Sequence, residues 1–113
     1  MIDIDKLKKS YLMDDSSVIK LIKIFEESTL NDLIEIDFAI ESKNEKEISK
    51  YAHKIKSSFS YFYLDELILL FEEIENLAKS KNDFSAIESL YIISKTKIQL
   101  VFKQIDEIIA KSK

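Results

Sequence analysis

The sequence predicts an all-α protein, an antiparallel four-helix bundle with a short extra N-terminal helix. Three observations carry this. The chain has neither glycine nor proline in 113 residues, where average usage would supply roughly 8 and 5 to 6. Without Gly, tight hairpin turns needing positive φ are costly, and without Pro nothing interrupts a long helix. Apolar residues also recur at three- and four-residue spacing along nearly the whole chain, the period of a helix with one buried face. Finally, short polar clusters of helix-starting residues separate these segments, and short connections make neighbouring helices antiparallel.

Taken in order, Asp3 is placed to cap a short helix with Ile4, Leu7 and Tyr11 on one side, a lid for one end of the bundle. Asp14-Asp15-Ser16-Ser17 opens the second helix, because these side chains accept from the free N–H groups of a first turn. Val18, Leu21, Ile22, Phe25, Thr29, Leu33, Ile36 and Ile40 keep its apolar face to about Glu41, and Lys20, Lys23, Glu26, Glu27, Asp32 and Glu35 form its charged face. After Ser42-Lys43, Asn44 and Glu47 have the spacing of a capping box. The third helix carries Ile48, Ala52, Ile55, Phe59 and Phe62 on one stripe and ends near Tyr61 to Leu64. Ser58 to Tyr63 also has some strand character, but the helical stripe runs through it. Asp65 is expected to cap a fourth helix buried through Leu67, Leu70, Phe71, Ile74, Leu77 and Ala78, with Lys79 to Asn82 as the next connection. Asp83 or Ser85 opens the last helix, buried from Ile87 to Ile109. Residues 1–113 then form one domain without repeat or linker, and Met1 and a fully helical end are expected of a free-standing protein.

Composition excludes several functions. Hydrophobic residues at 46% and charged residues at 34% suit a folded globular chain. The absence of cysteine removes disulfides, thiol catalysis and thiolate metal sites, and a single histidine makes a zinc site improbable, so no metal and no cofactor are expected on this chain. A net charge of −4 argues against nucleic acid as a partner. The acidic start, without a signal-peptide pattern or an apolar run of membrane-spanning length, points to a cytoplasmic protein not bound to membrane.

The single histidine, His53, is the candidate reactive group. On the helical wheel it points about 140° away from the centre of the buried stripe, toward Lys50, Lys56, Ser57, Ser49 and Ser60. An outward imidazole whose tautomer is fixed by an acceptor can take a phosphoryl group on its other nitrogen. Lys56, about 60° to one side, is the cation best placed to offset the incoming charge, and small Ser57 leaves room for a partner.

Ala52-His53-Lys54-Ile55-Lys56-Ser57-Ser58 resembles the signature of histidine phosphotransfer domains, A-H-x-[LIM]-K-[GS]-[SAG]. Such domains are four-helix bundles that relay a phosphoryl group between receiver-domain aspartates. Glu75-Asn76-Leu77 is similar to the segment that in chemotaxis-type members supplies a glutamate to the histidine ring. The resemblance implies that Glu75 accepts from Nδ1–H of His53 and leaves Nε2 as the phosphorylated atom. It further implies response-regulator receiver domains and hybrid sensor histidine kinases as partners, with Mg²⁺ on the receiver, and no kinase activity of this chain's own. Many family members have Gly where Ser57 and Tyr63 stand.

Around this core of the reading, Glu72 ranks second to Glu75 as neighbour of the ring, and Lys50 is expected to be a solvated charge and Lys54 only solubilising. Ile68, on the same ridge as Glu72 and Glu75, is expected to form an apolar docking patch. The chain is expected to be a monomer. The alternative function is a helical adaptor without chemistry, in which His53 is incidental.

Overall fold

The computed structural model describes residues 1–81 and 83–112. Five helices follow one another: α1 Ile4–Tyr11, α2 Asp15–Glu41, α3 Glu45–Tyr61, α4 Asp65–Ser80 and α5 Phe84–Lys111. No strand occurs among the described residues, so the aromatic stretch after Ser58 resolves as the end of α3. Each of α2 to α5 packs on the next and α5 returns to α2, closing a four-helix ring. A chain of aromatic rings runs through it from Phe25 to Phe59, Phe71 and Tyr91, one from each helix, with centroids 5.5–6.5 Å apart. These are edge and tilted geometries that favour the ring quadrupoles. The Tyr91 hydroxyl closes the circuit by donating to Asp37 Oδ1 on α2 at 2.6 Å, with Leu33 O of the same helix 3.2 Å away.

The lid follows from helix lengths. With 27 and 28 residues, α2 and α5 outrun α3 and α4, which have 17 and 16, by roughly 15 Å at 1.5 Å per residue. The overhang would leave Val18, Ile22, Val101 and Ile105 open. Ile2 and Leu7 cover it, and all six side chains are buried. Ile2 N–H donates to Gln104 Oε1 at 2.9 Å, Gln104 Nε2 donates to Ile2 O at 2.8 Å, and the Tyr11 hydroxyl donates to Tyr61 O at 2.9 Å.

Helix starts agree with the sequence where a carboxylate or amide can accept. Asp3, Asp14, Asn44 and Asp83 accept from the N–H groups of Lys6, Ser17, Glu47 and Ala86 at 2.8–3.2 Å. Only half of the Asn44–Glu47 box forms, because Asn44 N–H donates instead to Ala39 O at 2.8 Å. The expected Asp65 cap is corrected: the N-cap position is Leu64, without a side-chain bond, and Asp65 lies in the first turn. The connection expected at Lys79 to Asn82 is shorter, since Lys79 and Ser80 stay helical; Asn82 lies outside the described residues.

Helix ends show how a glycine-free chain turns. Leu12, Lys43, Tyr63 and Lys81 all take positive φ, between 53° and 56°. At Lys43 and Tyr63 the pairs of bonds Lys43 N–H to Ile40 O with Asn44 N–H to Ala39 O, and Tyr63 N–H to Ser60 O with Leu64 N–H to Phe59 O, form Schellman ends. The left-handed conformation costs a residue with Cβ roughly 1–2 kcal/mol, and here it is accepted four times. Tyr63 recovers something by stacking under Lys6, whose Nζ lies 4.1 Å from the ring centroid. Leu12 recovers little, being 93% exposed. Leu12→Gly is therefore expected to raise stability by about 1 kcal/mol, read as a higher urea midpoint with an unchanged slope; a fall would refute the cost assigned to this turn.

Candidate functional site

The α3 stripe of Ile48, Ala52, Ile55 and Phe59 is fully buried, and this fixes the rotation of the helix. His53, at the middle of α3, is thereby turned outward, its side chain 66% exposed. Opposite it on α4, Ile74 and Ala78 are buried and carry Glu75 inward with them to 5% exposure. By helical periodicity alone Glu75 stands about 100° from the centre of its helix's buried stripe, at the boundary; the structure places it inside.

A buried carboxylate must be paired, and Glu75 is paired three times. Its Oε1 lies 2.8 Å from Lys56 Nζ; its Oε2 lies 3.2 Å from His53 Nδ1 and 3.0 Å from Lys79 Nζ. Burial pushes the Glu75 carboxyl upward, but the hydrogen bonds and charges of Lys56 and Lys79 outweigh it and hold the group at about 2. Glu75 is therefore ionised at neutral pH and can only accept. A neutral His53 ring facing such an acceptor keeps its proton on Nδ1, which leaves the Nε2 lone pair at the far corner of the ring. The geometry thus prepares one nitrogen as a nucleophile.

The same shift sets an acid limb of stability. Because the folded-state value lies below the ordinary 4.5, the contribution is present above about pH 4.5 and is lost as pH falls toward 2. Its ceiling is about 3 kcal/mol. Urea titrations at stepped pH are expected to show this loss, and a Glu75→Gln variant a shallower one; identical slopes would contradict it.

The remaining predicted site residues divide. Lys56 is in the site, but its ammonium is directed to Glu75 and it holds the carboxylate in place. Ser57 and Ser60 are exposed and their hydroxyls donate back to the main-chain oxygens of His53 and Lys56, at 3.5 and 3.2 Å. Ser57 thus adds no bond to the ring. Lys50 lies 5.1 Å over the Tyr51 ring and is otherwise solvated. Glu72 is exposed, and the ring's carboxylate is Glu75. Ile68 is half-buried against the core, and it is Leu69 that stands free.

Two features were missed. Lys79, which shares Oε2 with His53, was assigned to a connection; its i,i+4 spacing from Glu75 on one helix was the available signal. Asp32 and Lys54 were assigned to solvated faces, yet Asp32 is 1% exposed and its Oδ1 lies 2.9 Å from Lys54 Nζ, pinning α2 to α3 one residue from His53. Lys54 is correspondingly raised, by its hydrogen bond to Asp32 and by that charge.

Among the described residues, no cluster of His, Asp or Glu has the makings of a metal site, and no helix is long and apolar enough to cross a membrane. No curated protein and no solved structure matches the chain. A family model described as Hpt domain matches residues 20–108, a span that runs from the first turns of α2 into the last turn of α5 and includes His53, Lys56, Glu75 and Lys79. The chain belongs to the Hpt domain family, helical bundles that carry phosphoryl groups in phosphorelays.

Proposed function

We propose that this protein is a phosphocarrier in a multistep phosphorelay, accepting a phosphoryl group on His53 Nε2 from a receiver-domain phosphoaspartate and passing it to a second receiver. One observation carries the reading: an exposed imidazole whose Nδ1 lies 3.2 Å from a buried, ionised carboxylate. In the transfer, the Nε2 lone pair attacks phosphorus, an N–P bond forms, and the P–O bond to the aspartyl carboxylate breaks. The ring keeps its Nδ1 proton and becomes cationic, and Glu75 offsets that charge. The receiver supplies Mg²⁺ and the acidic cluster that holds it, and these stabilise the transferring oxygens. The return step reverses every bond.

The partners are response-regulator receiver domains and the hybrid sensor kinases that contain them, acting in the cytoplasm. They dock over α3 and α4, where Lys50, Ser57, Ser60 and Glu72 are exposed around the ring and Ile68 supplies half-buried apolar contact. Incubation with a receiver carrying labelled phosphoaspartate tests the reading. The expected product is a labelled chain whose phosphate is acid-labile and base-stable; no label, or an acid-stable one, would leave only a helical adaptor.

A further inference from the structure

We propose that Lys79 is a positioning residue that makes Nε2 of His53 favour a phosphoryl group over a proton, through the carboxylate oxygen of Glu75 that its ammonium shares with the ring. The proposal rests on the phosphocarrier reading of His53 and adds the competition such a nucleophile must win. An imidazole lone pair able to attack phosphorus also takes a proton, and an imidazole ordinarily does so near neutral pH. Once protonated, the ring has no lone pair left for phosphorus.

The contacts between α3 and α4 single out this lysine. Phe59 meets Phe71 and Lys56 meets Glu75, so the helices run antiparallel and Lys79 comes level with His53. Both reach the same atom: Glu75 Oε2 lies 3.2 Å from His53 Nδ1 and 3.0 Å from Lys79 Nζ. The other charges near the ring are differently placed. On α3, Lys56 is held on Oε1, Lys50 lies over the Tyr51 ring, and Lys54 is bound to Asp32 of α2. On α4, Glu72 comes level with Ser58 and Phe59, more than a turn from the ring. Lys79 is the cation beside the imidazole that also meets solvent, with 62% of its side chain exposed against 20% for Lys56.

Charge then separates the two electrophiles. With the ring neutral, the two ammoniums of Lys56 and Lys79 against the one carboxylate of Glu75 leave the cluster with a single positive charge. A proton on Nε2 adds a second, beside Lys79, and like charges this close disfavour it. A phosphoryl group on Nε2 also makes the ring cationic but brings two negative charges on its oxygens, so the cluster ends neutral. Lys79 therefore opposes the proton and favours the phosphoryl group, whose charge its flexible, exposed stem can follow. Removing Lys79 leaves Lys56 on Oε1 and gives Oε2 to the ring alone, which makes protonation easier.

Two readouts test this on the native chain, Lys79→Met and Lys79→Arg, all expected to keep the same helical content because the side chain is largely exposed. Glu75, held at about 2, stays ionised through the range used, so the ring is the member of the pair that titrates. In nitrogen-15 spectra of the ring without a receiver, the pH at which His53 takes its second proton is expected to be higher in Lys79→Met by about half a unit and native-like in Lys79→Arg. In initial rates with a saturating phosphorylated receiver common to all three, Lys79→Met is expected to be slower throughout. Its deficit should grow by up to about threefold between about pH 8 and about pH 5.5, and Lys79→Arg should restore the native profile. An unmoved ring titration, an arginine variant that behaves like the methionine one, or a deficit of one size at every pH, as a lost docking contact would give, overturns the proposal while label on all three chains leaves the phosphocarrier reading standing. No label on any of the three would instead remove that reading and the proposal with it.

Discussion

His53→Gln is expected to take no phosphate from a phosphorylated receiver while keeping its helical spectrum and its unfolding midpoint. Both halves follow from the site. Glutamine matches part of the imidazole in size and polarity but offers no lone pair able to attack phosphorus, so transfer should fall to background. The fold should survive because His53 is two-thirds exposed and its polar contact is to Glu75 alone, which Lys56 and Lys79 continue to satisfy. Since the chain has no other histidine, labelling that persisted in this variant would have to sit on a different kind of group, and the assignment would fail.

Glu75→Ala should fold and still accept phosphate, but about 10²-fold more slowly in single-turnover measurements with saturating receiver. Two losses add. The ring loses the acceptor that fixes its tautomer, and Lys56 and Lys79 lose the carboxylate that neutralises them beside a ring becoming cationic. Glu75→Gln separates these, because it retains an acceptor oxygen without the charge; it is expected to be slower than the native chain by about tenfold and faster than the alanine variant. If all three chains react at one rate, Nδ1 has another partner.

What sequence revealed, and what it hid, divides along a physical line. Helix starts at Asp3, Asp14, Asn44 and Asp83 were readable because a cap is a local bond between residues three apart. The buried stripe of α3, and from it the outward aim of His53, was readable because one helix's periodicity fixes its own rotation. Burial of Glu75 was not, since it depends on how closely α3 and α4 approach. Asp32 was misassigned for a different reason. It stands about 40° from fully buried Ile36 on the wheel, inside the stripe, and its charge alone suggested the outer face; its partner Lys54 comes from another helix. The left-handed residue at Tyr63 explains a departure that sequence reported without a cause. The family's usual glycine suits a Schellman end, and this chain makes the same end with a tyrosine braced by Lys6.

The nitrogen that carries the phosphate decides the account. Nitrogen-15 and phosphorus-31 NMR of the freshly phosphorylated, ring-labelled protein reports it, since the coupled nitrogen identifies itself. The expected spectrum shows phosphorus bonded to Nε2 of His53, with Nδ1 still protonated and held by Glu75. Phosphorus on Nδ1, the atom facing the buried carboxylate, or on any residue other than His53, would contradict it.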